Sequence, residues 1–261
     1  MTHLLEGLTL RVQVIHALIL RETRTRYGRY RLGYVWALLD PLLFVGMFSA
    51  VFYLFDRRLP YGMDAVSFIA TGIIPYQLFT TTTGQAVQAI NANRGLLFYS
   101  QVQPLDLVAA RVLLEFATTA VVFVIIMGSS VLLGITRAEL HNPLMLMEGF
   151  VLGAALGGSV GLVFCGLAVL VPSVEKIYPP ILRPLFWISG IFFAAEELPS
   201  QFLNVLMYNP LLHVIELIRA GWFASYRGDY ADAGYVAAFI FVLLFFGLTL
   251  ERVARRHLEL G

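Results

Sequence analysis

Four long runs without a charged residue constrain this chain more than any other feature. No Asp, Glu, Lys or Arg occurs in residues 65–93, 116–136, 149–174 or 233–250. Each run is near or above the ~20 residues that an α-helix needs to cross a bilayer. The whole chain of 261 residues is 59% hydrophobic and only 13% charged, which is too apolar for a soluble domain. The sequence therefore predicts an all-α, polytopic membrane protein.

Six transmembrane helices are predicted from the apolar runs and the residues that flank them. Their ranges are 34–55, 66–90, 112–135, 150–171, 177–195 and 233–250. The fifth begins with several prolines, so we expect a kinked helix. The stretch 198–215 is also uncharged, but prolines and asparagines divide it into pieces too short to cross. We therefore expect a re-entrant or interfacial segment between the fifth and sixth spans.

The distribution of Lys and Arg predicts the orientation, because positive residues remain on the cytoplasmic side. With both termini cytoplasmic, most of these residues flank the inner ends of the spans: Arg11, Arg21, Arg24, Arg26, Arg29, Arg31, Arg94, Arg111, Lys176, Arg183, Arg252, Arg255 and Arg256. The outer side keeps Arg57, Arg58, Arg137, Arg219 and Arg227. A seventh span through 198–215 would place the C-terminal arginines outside, so the charge pattern favours six spans.

Residues 1–33 are predicted to form a cytoplasmic interface segment ahead of a single transmembrane domain, 34–261. Apolar residues of the segment recur at helical spacing, at Leu5, Leu8, Val12, Ile15 and Ile19. This pattern predicts an amphipathic helix along the inner membrane face. Charged residues interrupt the apolar run, which does not fit a cleaved signal peptide.

An arginine cluster follows the amphipathic pattern, at Arg21, Arg24, Arg26, Arg29 and Arg31. Two interpretations stay open for it. The cluster is a positive-inside anchor, or it is a docking surface for a partner or for an anionic lipid substrate.

The sequence lacks the motifs of an enzyme. No GxxxxGK[ST] loop surrounds Lys176, the only lysine, so we expect this chain to have no ATP site of its own. The histidines have no HExxH spacing, Cys165 has no second thiol, and no GxSxG elbow occurs. A net charge of +1 without a basic domain argues against nucleic-acid binding. We expect no catalytic residue, no metal site and no cofactor bound by this chain.

Residues 17–43, ALILRETRTRYGRYRLGYVWALLDPLL, resemble the permease subunits of ABC-type capsular polysaccharide exporters, the polysaccharide/polyol phosphate export permease family. Three further stretches are similar to that family: GIIPY at 72–76, AINANRGLLFYSQVQPLDLVAARVLLE at 89–115, and NPLLHVIELIRA at 209–220. The resemblance implies a transport subunit that moves lipid-linked capsular polysaccharide across the bacterial inner membrane to the periplasm. Related permeases that export O-antigen or teichoic-acid polymers remain an alternative, as does a membrane enzyme acting on lipid-linked sugars.

The resemblance also implies partners. Permeases of this family work as homodimers with two cytoplasmic ABC ATPase subunits, which bind the ATP and Mg²⁺. A periplasmic adaptor and an outer-membrane polysaccharide channel would follow in the export route. Lipid-linked polysaccharide and membrane lipid would be the ligands of this chain.

The N-terminal helix and the cytoplasmic segment 91–106 are where the resemblance implies contact with the ATPase. The segment carries an apolar patch over 96–99. Predicted coupling residues are Arg21, Glu22, Arg94, Gly95, Phe98, Tyr99 and Pro104. The alternative is an interfacial turn with its aromatic rings at headgroup depth. We expect motion of this segment to reach the third span through Asp106 and Arg111, and we expect Arg111 to pair with Glu115.

A sugar polymer needs a wide, hydrated path with flat apolar surfaces, because pyranose faces pack on aromatic rings. The predicted path residues are Trp36, Phe44, Phe48, Tyr76, Phe79, Trp187, Phe192 and Phe193. At the inner entrance, Arg24, Arg26, Arg29 and Arg31 are predicted to gather the anionic phosphate of the lipid linker.

Two polar features each have two interpretations, one inside the first predicted span and one just after the predicted re-entrant segment on the outer side. Asp40, directly before Pro41, either faces protein or water within the membrane or is a helix N-cap. The outer-gate candidates His213, Glu216 and Arg219 lie three residues apart, and they form either a polar network or a solvated helix face. Glycines at every fourth residue from Gly153 to Gly161 predict close helix packing.

Overall fold

A computed structural model describes residues 2–27, 33–57, 59–96, 98–99 and 101–260. Within these ranges the chain is all-helical and contains no β-strand, which confirms the predicted fold class. The described α-helices are α1 Thr2–Tyr27, α2 Gly33–Leu54, α3 Ala65–Val87, α4 Ala89–Ala92, α5 Pro104–Leu132, α6 Pro143–Leu170, α7 Val174–Leu182, α8 Leu185–Ile188, α9 Ser200–Leu206, α10 Pro210–Trp222 and α11 Ala233–Leu260. Short 3₁₀ turns lie at Pro60–Gly62, Arg94–Leu96 and Ala195–Glu197.

Four described helices are long and apolar enough to cross a membrane. They are Val35–Leu54, Pro104–Leu132, Pro143–Leu170 and Ala233–Ala254. These helices correspond to the predicted first, third, fourth and sixth spans. In place of the second span lies α3, which carries a series of Thr residues among its apolar side chains and is largely buried inside the protein. The number of six spans stays a prediction.

The predicted fifth span, 177–195, contains two short helices instead of one kinked helix. Helix α8 ends at Ile188, and the chain continues without helix through Gly190, where φ is +84°. Three prolines within or beside these helices lack the N–H that a helical hydrogen bond needs. A left-handed residue then ends the helical path. The sequence therefore placed the end of this helix too late.

Two helices are longer than the spans predicted for them, α5 at its start and α11 at its end. Helix α5 starts at Pro104 instead of 112, because Gln103 and Asp106 form a capping box at its N-terminus. Its first two turns consequently lie outside the predicted span. Helix α11 continues to Leu260, ten residues past the predicted end.

Helices α3 and α6 form the centre of the bundle, and glycines allow their close approach. A Cβ atom added at Gly157 would lie 2.7 Å from the Phe79 carbonyl oxygen, and one at Gly161 would lie 2.4 Å from the Ala86 Cβ atom. The Thr83 hydroxyl donates a hydrogen bond to the Gly157 carbonyl oxygen at 3.1 Å. The predicted close packing of small residues is confirmed.

Helix α1 packs its apolar side against α4 and α5. The α1 side chains in this cluster are Val14, Ile15, Leu18 and Ile19. Val12, another residue of the predicted apolar face, is 66% exposed. The side chains of Leu5 and Leu8 lie outside the described residues. Neighbouring protein therefore covers Ile15 and Ile19 of the predicted face, and the contact of this helix with the membrane stays a prediction.

Candidate functional site

A groove of about 550 Å³ opens between α2, α3 and the α7–α8 region. Its lining residues are Asp40, Phe44, Ile73, Tyr76, Gln77, Thr80, Thr81, Arg183, Phe186 and Trp187. Several of these side chains are polar, although the groove lies among apolar helices. Such a surface can contact a solute that is both hydrated and partly apolar.

Asp40 faces Gln77 across the groove. The Gln77 side-chain amide donates a hydrogen bond to an Asp40 carboxylate oxygen at 3.2 Å. Helix α2 begins at Gly33 and continues through Pro41. Asp40 therefore does not cap a helix, and the N-cap interpretation is wrong. A carboxylate at this depth is instead exposed to the groove and hydrogen-bonded.

Phe186 is the centre of an aromatic cluster on one side of the groove. Its ring centroid lies 5.1 Å from that of Tyr76 and 5.2 Å from that of Trp187, both edge to face. Phe192 lies 5.3 Å from the same ring, and Phe48 lies 4.7 Å from Phe192. Packed rings of this kind hold each other in position. Trp187 remains 64% exposed, so it offers a flat apolar surface on a rigid support.

The groove also carries opposite charges. Asp40 comes from α2, whereas Arg183 comes from the end of α7. The hydroxyls of Thr80 and Thr81 lie on α3, where they donate hydrogen bonds to carbonyl oxygens of their own helix. Their second lone pairs remain able to accept hydrogen bonds. The combination can bind hydroxyl groups, charged substituents and the apolar faces of rings.

Five of the predicted path aromatics belong to this region. Phe44, Tyr76 and Trp187 line the groove. Phe48 and Phe192 lie against Phe186, where they support its ring. Residues from three separate predicted spans are thus brought together.

The structure places the other three predicted path aromatics elsewhere. Trp36 is 63% exposed near the start of α2 but is not among the lining residues. Phe79 is buried in the core that α3 forms with α6. The Phe193 carbonyl oxygen accepts a hydrogen bond from the Arg219 guanidinium at 3.2 Å.

Sequence reasoning missed six lining residues of the groove: Ile73, Gln77, Thr80, Thr81, Arg183 and Phe186. A signal for three of them was present. Gln77, Thr80 and Thr81 are polar residues at positions i, i+3 and i+4 of an uncharged helix, so they share one helix face. The residues next to Arg183 in the sequence do not indicate that it lines the same groove as Asp40.

A second polar cluster surrounds Arg219 on α10. The Arg219 side chain is fully buried and forms an ion pair with Glu216 at 3.2 Å. It donates further hydrogen bonds to the carbonyl oxygens of Gly190, at 2.8 Å, and Phe193. The Tyr226 hydroxyl donates to the other carboxylate oxygen of Glu216. Because both charges are completely buried, the interpretation as a solvated helix face is wrong.

His213 belongs to a separate set of contacts. One ring nitrogen lies 2.8 Å from the Met207 carbonyl oxygen, and the other accepts a hydrogen bond from the Asp232 backbone N–H at 3.1 Å. This pair of contacts fits the tautomer that donates from Nε2 and accepts at Nδ1. His213 ties the loop after α9 to the start of α11, whereas Glu216 and Arg219 hold residues 190–195.

A contact between two loops lies near the Arg219 cluster. The Tyr61 hydroxyl donates a hydrogen bond to Glu196, and its ring centroid lies 6.2 Å from that of Tyr226. This hydrogen bond, together with the negative charge of Glu196, raises the pKa of Tyr61. The loop after α2 and the loop after α8 therefore lie on the same side of the bundle.

At the opposite end, three polar contacts join α1 to neighbouring segments. Arg11 forms an ion pair with Asp106 at 2.7 Å, and Glu22 forms one with Arg111 at 3.0 Å. The Arg21 guanidinium donates a hydrogen bond to the Asn93 side-chain oxygen at 2.7 Å. Of the predicted coupling residues, Arg21 and Glu22 are therefore engaged with the chain itself.

Arg111 was expected to pair with Glu115, and the structure adds two other partners. Besides Glu22, its guanidinium contacts the Gln85 carbonyl oxygen, to which it donates a hydrogen bond at 2.8 Å. Arg111 therefore links α1, α3 and α5. A helix-surface spacing of four residues did not reveal these long-range partners.

The segment between α4 and α5 exposes two aromatic side chains. Phe98 is 92% exposed and Tyr99 is 66% exposed, while Leu96 packs with the α1–α5 cluster. Pro104 is buried at the first turn of α5. A Cβ atom at Gly95 would meet no neighbour within 4 Å. The expected apolar patch is therefore present at Phe98 and Tyr99.

The remaining predicted site residues are mostly outside the described part. Arg24 is exposed on the last turns of α1. The side chains of Arg26 and Arg94, and the whole of Arg29 and Arg31, lie outside the described residues. Among the described residues, no group of three or more His, Cys, Asp or Glu side chains is arranged to hold a metal ion.

Comparison with known proteins identifies similar membrane proteins. The family model described as "ABC-2 type transporter" matches residues 13–223. The chain is 36% identical over 250 residues to the polysialic acid transport protein of Escherichia coli, covering 94% of this chain and 95% of that protein. It is 31% identical over 247 residues to a capsule polysaccharide export inner-membrane protein of Neisseria meningitidis serogroup A, covering 95% and 93%. An O-antigen export system permease protein of Klebsiella pneumoniae is 25% identical over 244 residues, covering 89% and 86%.

Proposed function

Because the chain belongs to the ABC-2 type transporter family of membrane proteins, we propose that it is the permease subunit of an exporter that moves capsular polysaccharide out of the cytoplasm. Its relatives include proteins named for capsule polysaccharide export and for polysialic acid transport. The chain itself contributes the path, and a separate ATPase contributes the energy.

The groove between α2, α3 and α7–α8 carries this proposal. A polysaccharide presents apolar ring faces and hydrated hydroxyl groups, and the groove offers Trp187 and Tyr76 for the first and Thr80 and Gln77 for the second. The lining residues come from α2, α3 and the α7–α8 region, so contacts with a polymer would be spread over several helices. A polymer that must slide requires contacts that hold it without fixing it.

Arg183 extends the proposal to acidic polymers. Its guanidinium lies at the groove and can pair with a carboxylate on a sugar. The Asp40 carboxylate, which lines the same groove, would repel a second anionic group of the polymer near Asp40. The similarity to a polysialic acid transport protein agrees with an acidic cargo.

A homodimer would close the groove. One chain supplies a single open wall, on which Asp40 and Trp187 remain exposed. Exposed apolar side chains continue along the same helix α2: Val35, Trp36, Leu43, Phe44, Met47 and Val51. A second copy facing this surface would enclose a path between two aromatic walls.

The loop contacts support six spans with both termini in the cytoplasm. At one end, α1 contacts the segments around Asn93 and Asp106. At the other end, Tyr61 contacts Glu196, and the His141 backbone N–H donates a hydrogen bond to the Trp222 carbonyl oxygen. These pairings keep the arginine-rich ends together on one side, as the positive-inside rule requires. The largely buried helix α3 and the segment α7–α8 would then complete the six crossings, while α9 and α10 would form the re-entrant segment.

The exposed pair Phe98 and Tyr99 would insert into a cleft on the ATPase. Two large aromatic side chains in water are unfavourable unless a partner covers them. The contacts from Arg21 to Asn93 and from Glu22 to Arg111 connect this surface to α1 and α5. ATP and Mg²⁺ would bind on the ATPase, and a periplasmic adaptor and an outer-membrane channel would continue the route.

The arginine cluster before α2 would attract the lipid end of the cargo. Arg24 is exposed, and Arg26, Arg29 and Arg31 follow it in sequence. Positive residues at the cytoplasmic surface each contribute about 1 kcal/mol of attraction to anionic lipid. A lipid-linked polymer would thereby be positioned at the inner entrance.

Deletion of the gene with complementation tests the proposed function. We expect finished, lipid-linked polymer to accumulate in the cytoplasm of the deletion strain and to return to the surface on complementation. Unchanged surface polysaccharide would contradict a role in export. Absence of polymer from every fraction would instead favour the enzyme alternative. Analysis of the trapped polymer separates capsule from O-antigen, the alternative that the Klebsiella relative keeps open.

A further inference from the structure

Asn91 and Glu175 form a contact between two segments that lie far apart in the sequence. The Asn91 side-chain amide donates a hydrogen bond to a Glu175 carboxylate oxygen at 2.5 Å. Asn91 lies on α4, directly before the segment that exposes Phe98 and Tyr99. Glu175 lies on the first turn of α7. The contact therefore joins the proposed ATPase-facing segment to the helix that leads into the groove.

Helix α7 is attached to the same region by a second contact. The Tyr178 hydroxyl lies so close to α3 that a Cβ atom at Gly84 would be 3.2 Å from it. The Tyr178 ring also packs against Phe164 of α6, with centroids 5.8 Å apart. Tyr178 thus holds the middle of the nine-residue helix α7 against α3 and α6. Because α7 is one continuous helix, we expect a displacement at Glu175 to move it as one body.

The other end of α7 reaches the groove directly. Arg183 follows the last residue of α7 and lines the groove, and Phe186 and Trp187 follow within α8. Backbone hydrogen bonds continue from the Arg183 N–H to the Pro179 carbonyl oxygen and from the Phe186 N–H to the Arg183 carbonyl oxygen. A movement of α7 is therefore transmitted to the groove wall without an intervening flexible loop.

Two asparagines at the start of the ATPase-facing segment face different partners. Asn93 accepts a hydrogen bond from Arg21 of α1, whereas Asn91 donates one to Glu175 of α7. The first contact leads to α1 and α5. The second leads to α7 and to Arg183. The segment thus contacts two separate parts of the bundle, α1 through Asn93 and α7 through Asn91.

We propose that the Asn91–Glu175 hydrogen bond is a second coupling contact, through which movement of the ATPase-facing segment repositions α7 and with it Arg183 and Trp187 in the groove. Asn91 and Glu175 are positioning residues in this role, because neither lines the groove. The inference rests on the proposed export function. It adds a route that does not pass through α1 or α5.

The inference is tested by exchanging the donor and the acceptor between positions 91 and 175. The assay uses the complete permease–ATPase complex in inverted membrane vesicles. Asn91→Asp places two carboxylates together, whereas Asn91→Asp combined with Glu175→Gln restores one donor and one acceptor in the opposite order. We expect the single variant to lower polymer transport per ATP hydrolysed by about tenfold, and the double variant to restore most of it. Lys176→Gln, at the exposed neighbouring position, is the matched control.

A labelling measurement separates coupling from a merely structural role. In a Cys165→Ser background, Arg183→Cys is labelled with a water-soluble maleimide before and after vanadate trapping with ATP. Trapping should change the labelling rate by about threefold or more, and Asn91→Asp should abolish that change while the double variant restores it. An unaltered ATP-dependent change in the Asn91→Asp protein overturns the inference. Wild-type vesicles that hydrolyse ATP but move no polymer would overturn the proposed export function instead.

Discussion

The guanidinium of Arg219 lies 4.0 Å from the centroid of the Phe68 ring. Both side chains are fully buried, so the cation is held between an aromatic face and the carboxylate of Glu216. The same guanidinium fixes two carbonyl oxygens of the non-helical segment after α8. Arg219 therefore joins α3, α10 and the segment that carries Phe192.

Removing the Arg219 charge should destabilise the protein strongly. Arg219→Leu leaves Glu216 buried without its cation, a change that costs about 3–5 kcal/mol in the free energy of unfolding. Thermal unfolding of the purified protein in detergent, followed by tryptophan fluorescence, measures the loss. Addition of Glu216→Gln should recover part of the stability, because the neutral amide still accepts the hydrogen bond from Tyr226. Arg227→Leu, at an exposed arginine, should change little.

Trp187 and Trp36 provide a matched pair for the export path. Their exposed fractions are 64% and 63%, but only Trp187 lines the groove. Trp187→Ala should reduce polymer export severalfold at a constant amount of protein, since packing of a ring face on an aromatic side chain contributes about 1 kcal/mol. Trp36→Ala should have a smaller effect in the same assay of surface polysaccharide, because Trp36 does not line the groove. Equal effects of the two substitutions would show that the groove is not the path.

Phe98→Ser should uncouple ATP hydrolysis from transport. The side chain is 92% exposed and has little role in the fold of the single chain, so the substitution should leave the amount of permease unchanged. Loss of an aromatic anchor at an interface typically costs about 2 kcal/mol or more of binding free energy. Co-purification of the ATPase and the export rate are the two measurements. Phe55→Ser, at the opposite end and 80% exposed, is the control; an unchanged export rate in Phe98→Ser would contradict the coupling role.

Gly157 should not tolerate even a methyl group. A Cβ atom there would lie 2.7 Å from the Phe79 carbonyl oxygen, so Gly157→Ala must separate α6 from α3 at a cost of about 1–3 kcal/mol. At Gly46 of α2, nothing lies within 4 Å, and Gly46→Ala should be neutral or stabilising by about 0.5–1 kcal/mol. The difference between the two thermal unfolding midpoints measures the effect. A Gly157→Ala protein as stable as the wild type would disprove the close helix contact.

The ion pair between Glu22 and Arg111 should hold α1 on the bundle. Both side chains are largely buried at 3.0 Å, and hydrogen bonds to charged groups contribute about 1.5–3 kcal/mol. Glu22→Ala should therefore speed trypsin cleavage after the exposed Arg24 by roughly tenfold, because the detached state becomes more populated. Gln13→Ala, at an exposed position of α1, should leave the cleavage rate unchanged. Equal rates in both variants would show that the pair does not restrain the helix.

The long apolar runs allowed the helical fold to be predicted, because the hydrophobic length of a helix depends on consecutive residues alone. The small residues of α6 likewise predicted its close packing, since spacing along one helix determines which face carries them. Prediction failed at the fifth span, where the end of α8 depends on a left-handed Gly190 packed beneath α10. Whether a proline bends a helix or ends it is decided by the neighbouring segments.

The sequence by itself determined the membrane class and the family resemblance. Only the tertiary structure decided that Asp40 faces Gln77, that Arg183 lies opposite them, and that Phe79 is buried in the core. The physical reason is that side-chain partners across a bundle depend on the rotation and crossing of each helix. Those are set by the packing of the whole bundle, not by any contiguous part of the chain.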